Sequence, residues 1–161
     1  MNTRSPDAPA RATAPRPGFQ ATVSGAVSGS VEGPGVLRFI PASETSFGTQ
    51  PAFYFIADDT GVRDLGVTFS IPRGTGPGTF ALVSGTPFEI GEKFEVRVDR
   101  STQTRTVSFE KATEGSITLT AFPTSPEEME GDRVAGHFRF STSGASGEAV
   151  TAEGSFDFEV R

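Results

Sequence analysis

Two segments in the last third of the sequence alternate an aromatic residue with a polar one. They read Gly136-His137-Phe138-Arg139-Phe140 and Gly154-Ser155-Phe156-Asp157-Phe158-Glu159-Val160. A β-strand sends successive side chains to opposite faces, so Phe138 and Phe140 share one face, and Phe156 and Phe158 another. His137, Arg139, Asp157 and Glu159 then line the reverse. A sheet with one dry and one wet side is the pattern of an antiparallel β domain.

The same alternation recurs upstream at short intervals. Strands are expected at Phe19–Gly25, Ala26–Val31, Val36–Pro41, Phe53–Ala57, Leu65–Ile71, Thr79–Val83, Lys93–Val98, Arg105–Glu110 and Ser116–Phe122, before the two Phe-rich runs. Val67, Phe69 and Ile71 share one face, as do Phe94, Val96 and Val98. Turn chemistry separates the strands: Gly33-Pro34-Gly35, Asp58-Asp59-Thr60-Gly61 and the Gly/Pro-rich Pro72–Gly78. The chain holds 19 glycines, 12 prolines and 15 phenylalanines, which suits short strands around a Phe-built core rather than long helices. Ser125-Pro126-Glu127-Glu128 has helix-start chemistry, but Gly131 limits it to about one turn. Glu114-Gly115-Ser116 and Glu153-Gly154-Ser155 echo each other as strand starts where glycine opens a bulge.

These signals predict an all-β, antiparallel β-sandwich or flattened barrel of about ten strands over residues 19–161. Residues 1–18 precede it, with four prolines and no large apolar residue after Met1, and are expected to form an extended arm or linker.

The formal net charge is −6. Residues 1–18 contribute Arg4, Arg11, Arg16 and Asp7, a side-chain sum of +2, so the remainder carries −8. An acidic domain repels phosphate backbones, which argues against nucleic acid as a partner. There is no cysteine, hence no disulfide, thiolate metal site or thiol nucleophile. No apolar run reaches the length that spans a bilayer. Met1–Gln20 has no apolar h-region, so either the protein stays in the cytoplasm or a leader is removed; the extracytoplasmic side is favoured by the resemblance below.

Side chains that could carry chemistry are few. His137 is the sole histidine and is expected on the wet face, with no Gly-x-Ser-x-Gly elbow to partner it. Glu127, Glu128, Glu130 and Asp132 form a dense carboxylate run without calcium-loop spacing, as expected of a solvated loop tip. Arg73-Gly74-Thr75-Gly76-Pro77-Gly78 has the glycines of a phosphate cradle but leads into a strand. No carboxylate pair is singled out for glycosidase work. Tyr54, the one tyrosine, faces away from Phe53 and Phe55. It is the foremost contact residue, with His137 and Arg139 beside it, unless it packs against a second sheet. No metal or cofactor is expected.

Phe19-Gln20-Ala21-Thr22-Val23-Ser24-Gly25, Gly115–Thr120, Arg133-Val134-Ala135-Gly136-His137-Phe138-Arg139-Phe140 and Glu153–Phe158 together resemble a group of uncharacterised bacterial secreted or lipoprotein-type β domains, loosely over residues 19–160 and more closely over 115–160. In such proteins a low-complexity spacer follows a signal or lipobox. The present sequence has neither leader nor lipobox cysteine. The resemblance implies a fold and an extracytoplasmic setting, and no activity. The resulting expectation is a non-enzymatic accessory or binding subunit that docks on a larger membrane-associated or extracytoplasmic assembly. The alternative is a small-ligand or glycan-binding module with a pocket near Tyr54. A hydrolase built on His137 and carboxylates is the third.

Overall fold

The computed structural model describes residues 18–45, 48–50, 52–58, 64–82, 94–102 and 104–161. Its strands are β1 (Gly18–Gly25), β2 (Gly29–Gly33), β3 (Val36–Ile40), β4 (Ser43–Thr45), β5 (Gly48–Gln50), β6 (Phe53–Ala57), β7 (Leu65–Pro72), β8 (Gly78–Ala81), β9 (Glu95–Ser101), β10 (Thr106–Phe109), β11 (Lys111–Ala121), β12 (Arg133–Ser143) and β13 (Ala149–Glu159). They build a six-stranded antiparallel sheet in the order β2-β1-β13-β12-β11-β8 and a five-stranded one in the order β10-β9-β7-β6-β3. The sheets pack face to face as a sandwich and do not close into a barrel. β4 and β5 form a separate ribbon.

Most predicted strands are present with boundaries moved by a few residues. β1 begins at Gly18 rather than Phe19, because Gly18 pairs with Asp157 of β13. The segment read as Ala26–Val31 forms its strand later, at Gly29–Gly33. β11 starts at Lys111, five residues before the expected Ser116. Its first half, Lys-Ala-Thr-Glu-Gly, has no apolar alternation of its own and is held by pairing with β12. The expected helical turn is a 3-10 turn over Pro126–Glu128, with the Ser125 side chain capping the Glu127 amide. The arm residues 1–17, Val83 and Lys93, and all but Asp58 of the Asp58–Gly61 turn lie outside the described residues.

The inward faces interlock through phenylalanine. Phe69 of β7 stands edge-on to Phe138, with ring centres 4.7 Å apart, and to Phe140, at 5.7 Å. Phe19 stacks on Phe138 and on Phe156 within the opposite sheet. One ring from the five-stranded sheet thus meets three from the six-stranded one, those of Phe19, Phe138 and Phe140. Burial of each such side chain contributes roughly 1.5–3 kcal/mol, and favourable ring pairs add about 0.5–1.5 kcal/mol.

Two glycines make the close approaches possible. β11 shifts register between Leu119 and Ala121, directly across from Gly136 of β12. A Cβ on Gly136 would lie 2.1 Å from the Thr118 carbonyl oxygen and 2.8 Å from Cζ of Phe156. Gly154 is equally confined: a Cβ there would meet the Gln20 carbonyl oxygen at 2.0 Å. Of the two echoing Glu-Gly-Ser segments, the first lies at a register irregularity, between Ala112 and Glu114. The second runs in unbroken register with β1 and β12, its glycine serving close strand packing instead.

Candidate docking surface

β6 reads Phe53-Tyr54-Phe55-Ile56-Ala57, apolar at every position, so its own pattern leaves the buried face undecided. Pairing with β7 decides it. β7 alternates cleanly, with Leu65, Val67, Phe69 and Ile71 buried. Register places Ile71 opposite Tyr54 and Phe69 opposite Ile56. Residues directly opposite in an antiparallel pair share a face. Tyr54 and Ile56 therefore go inward, and Phe53 and Phe55 go outward.

This corrects the expectation that Tyr54 is a contact residue. It does face away from Phe53 and Phe55, but into the core, where it is 2% exposed. Its ring stands edge-on to Phe39 at 5.3 Å and to Phe122 at 5.0 Å. Burial raises its phenol pKa above the ordinary value; Arg73 opposes that shift and Glu127 adds to it. Arg73 lies over the Phe39 ring, 5.6 Å from its centre, and 3.7 Å from a Glu127 carboxylate oxygen. Glu127 also accepts a hydrogen bond from the Ser125 hydroxyl, the main cause of its lowered pKa. The acidic segment thus sends one carboxylate back onto the Gly/Pro-rich turn after β7. Among the described residues, no group of three His, Asp or Glu side chains is placed to hold a metal ion.

On the outer face of the five-stranded sheet, Ile40 lies opposite Phe53, and Phe53 opposite Pro72. Arg38 lies opposite Phe55, and Phe55 opposite Ser70. Val36 lies opposite Ala57. Val36, Phe53, Phe55, Ala57 and Pro72 are half-buried, and Ile40 is 37% exposed, the one exposed large hydrophobic residue among those described. Arg38 is exposed in the middle of this surface and makes no ion pair with any described residue. Apolar side chains thus run across the outer side of β3 and β6, and contiguous exposed apolar patches are one of the surface features from which interaction sites are inferred.

β3 is also the terminal strand of its sheet. One rank of its backbone N–H and C=O groups has no strand partner among the described residues. The other terminal strands carry shorter or more polar outward side chains: Ser30 and Glu32 on β2, Thr79 and Ala81 on β8, Thr106 and Ser108 on β10. Charge and polarity are common protection for sheet edges. β3 presents Val36 and Ile40, with Arg38 alone between them.

His137 and Arg139 take their expected places on the wet face, this time of the six-stranded sheet. Both are exposed. His137 lies between Thr118 of β11 and Ser155 of β13, and Arg139 between Ser116 and Glu153. They are separated from the β3–β6 patch by the thickness of the sandwich. Among the described residues, no hydrogen bond or ion pair joins His137 to a serine hydroxyl or a carboxylate. Nearby, a shallow groove of about 430 Å³ runs between β2, β1 and β13, lined by Gln20, Thr22, Ser30, Glu32, Glu153 and Ser155. It is polar and lies on the sheet opposite to that of Tyr54. Arg133 and Asp157 form a bidentate pair on the same outer face, at 2.9 and 2.8 Å, and this holds the Asp157 carboxyl below its usual pKa.

No described helix is long and apolar enough to cross a membrane. No protein-family model, curated protein or solved structure matches the chain.

Proposed function

We propose that this β-sandwich is a non-enzymatic docking module, an accessory subunit that binds a larger membrane-associated or extracytoplasmic assembly through the outer face of β3 and β6. The observation that carries this reading is the outward placement of Phe53 and Phe55 beside exposed Ile40. Two phenylalanines on the solvent side of a strand bury no surface in the core, and their half-exposed area becomes favourable when a partner removes it from water. Aromatic side chains are common anchors at such interfaces.

The test is a pull-down of the tagged full chain from its native cells, divided into soluble, membrane and extracellular fractions. It is run beside a Phe53→Ser/Phe55→Ser double variant. A partner recovered in stoichiometric amount with the parent chain and lost with a folded double variant supports docking through this face. A partner retained by the double variant places the interface elsewhere.

A second reading rests on the polar groove between β2, β1 and β13. Its amide, hydroxyl and carboxylate groups suit a small neutral polyol or glycan. Titration of the labelled protein with oligosaccharides, watched at the Gln20, Ser30 and Ser155 amides, tests it. Unmoved amides at millimolar sugar reject it.

A further inference from the structure

We infer that the partner docks by adding a strand to the outer edge of β3, which has no strand partner among the described residues, and that the added segment carries one acidic residue flanked, two positions away on each side, by apolar residues. This deepens the docking reading and rests on it. Strand addition gives hydrogen-bond partners to the outer backbone rank of β3 and continues the outer apolar face by one strand. Cross-strand neighbours on one face stand about 4.5–5.5 Å apart, so each outward residue of β3 selects the residue opposite. Val36 and Ile40 select apolar side chains. Arg38, exposed and without an ion pair among the described residues, selects a carboxylate.

Two other occupants fit less well. A second copy pairing β3 with β3 in antiparallel register over all five residues sets Arg38 directly opposite Arg38, and like charges placed so are destabilising. The chain's own residues 1–17 hold one carboxylate, Asp7, but it stands between Pro6 and Pro9, with Ser5 rather than an apolar residue two positions before it, in a segment with three arginines and four prolines that cannot donate to a ladder. A segment from a different protein, with a single carboxylate, meets both constraints. A single acid rather than several is favoured because the chain itself carries a net charge of −6.

The test is a selection of displayed seven-residue random peptides against the full chain and against its Arg38→Glu variant. Arg38 is exposed, so the variant keeps the fold. The parent is expected to enrich peptides with a central Asp or Glu between apolar positions, and the variant to enrich Lys or Arg at that place. A synthetic copy of the leading peptide, N-methylated at alternate amides on the pairing side, is expected to bind at least about tenfold more weakly, the equivalent of one or two backbone hydrogen bonds. Amide shifts on binding are expected to centre on Val36–Ile40. An empty selection, identical pools for parent and variant, or indifference to N-methylation overturns strand addition. If strand addition fails while the Phe53→Ser/Phe55→Ser variant still loses its cellular partner, the docking face stands without it. If that variant keeps its partner, the docking reading falls as well.

Discussion

Replacing Gly136 by alanine should harm the protein, while the same change at Gly66 should help it. Both glycines lie inside strands, where glycine ordinarily costs about 0.5–1 kcal/mol relative to alanine. At Gly66 of β7 a Cβ would meet nothing within 4 Å among the described residues, and its φ is not in the left-handed region. Alanine there restricts the unfolded chain without straining the folded one, for a gain of about 0.4–1 kcal/mol. At Gly136 the Cβ would fall 2.1 Å from a backbone oxygen of β11 and 2.8 Å from the Phe156 ring. Comfortable separation is about 3.5 Å or more, so a strand must retreat by about 1 Å or more, with the ring displaced as well. Neither neighbour is the loose end of a flexible side chain. Overpacking costs typically about 1–3 kcal/mol, and a backbone obstacle places this site at the upper end. The two variants should therefore differ by about 3 kcal/mol. Urea denaturation followed by far-ultraviolet circular dichroism measures this as opposite shifts in midpoint at an unchanged slope. Midpoints that move together, or a neutral Gly136→Ala, would refute the close approach of β11 to β12 over the Phe156 ring.

Other outcomes follow from buried and paired polar groups. Thr142 is fully buried and its hydroxyl has no hydrogen-bond partner in the structure, so Thr142→Val should stabilise the fold by about 1 kcal/mol in the same assay. Tyr54 is the sole tyrosine and its folded pKa is raised by burial, so absorbance titration near 295 nm should show ionisation above about 10. The corresponding stability is present below that ordinary value and is lost as pH climbs past it toward the raised one; a phenol titrating at the ordinary value would contradict the burial. Asp157 has a lowered folded pKa, so its stabilising contribution is complete above the ordinary carboxylate value near 4 and is lost as pH falls through the folded value. Asp157→Asn should flatten that acid limb while changing neutral-pH stability by no more than about 1 kcal/mol, the range of exposed pairs. An acid limb identical in parent and variant would assign the loss to other carboxylates.

What the sequence made legible is where an element's own residues decide its state. Val67, Phe69 and Ile71 alternate with polar or small residues, and all three are buried. Phe138, Phe140, Phe156 and Phe158 are inside, with His137, Arg139 and Glu159 outside. Ser125, Pro126 and Glu127 announced a capped turn that is present. The missed features depend on distant partners. β6 is apolar throughout, and only the register set by β7 turns Tyr54 inward and Phe53 and Phe55 outward. The first half of β11 is polar and becomes a strand through β12. Consequently the alternation rule alone did not single out the surface proposed as the docking face, and Tyr54, the foremost contact candidate, is inside, as the alternative of packing against the second sheet had it. A signal was available in the three consecutive aromatics at 53–55, since a two-residue period cannot bury them all on one side.

The pairing of β1 with β13 has a consequence for synthesis in the cell. Gln20 and Ser155 meet side chain to side chain although they stand 135 positions apart. A nascent chain that has already exposed Phe19, Ala21 and Val23 must wait for residues 149–159 to leave the ribosome before that hydrophobic strand finds its sheet. During elongation β1 and β2 form at best a lone hairpin, marginal in water, and β12 offers an open edge where β13 will lie. Such long-range closure is slow compared with local pairing. The interval between translating β1 and releasing β13 is therefore the period in which this chain most depends on a holding chaperone, and a ribosome stalled shortly before codon 149 would yield a sticky, incomplete sheet rather than a smaller stable domain.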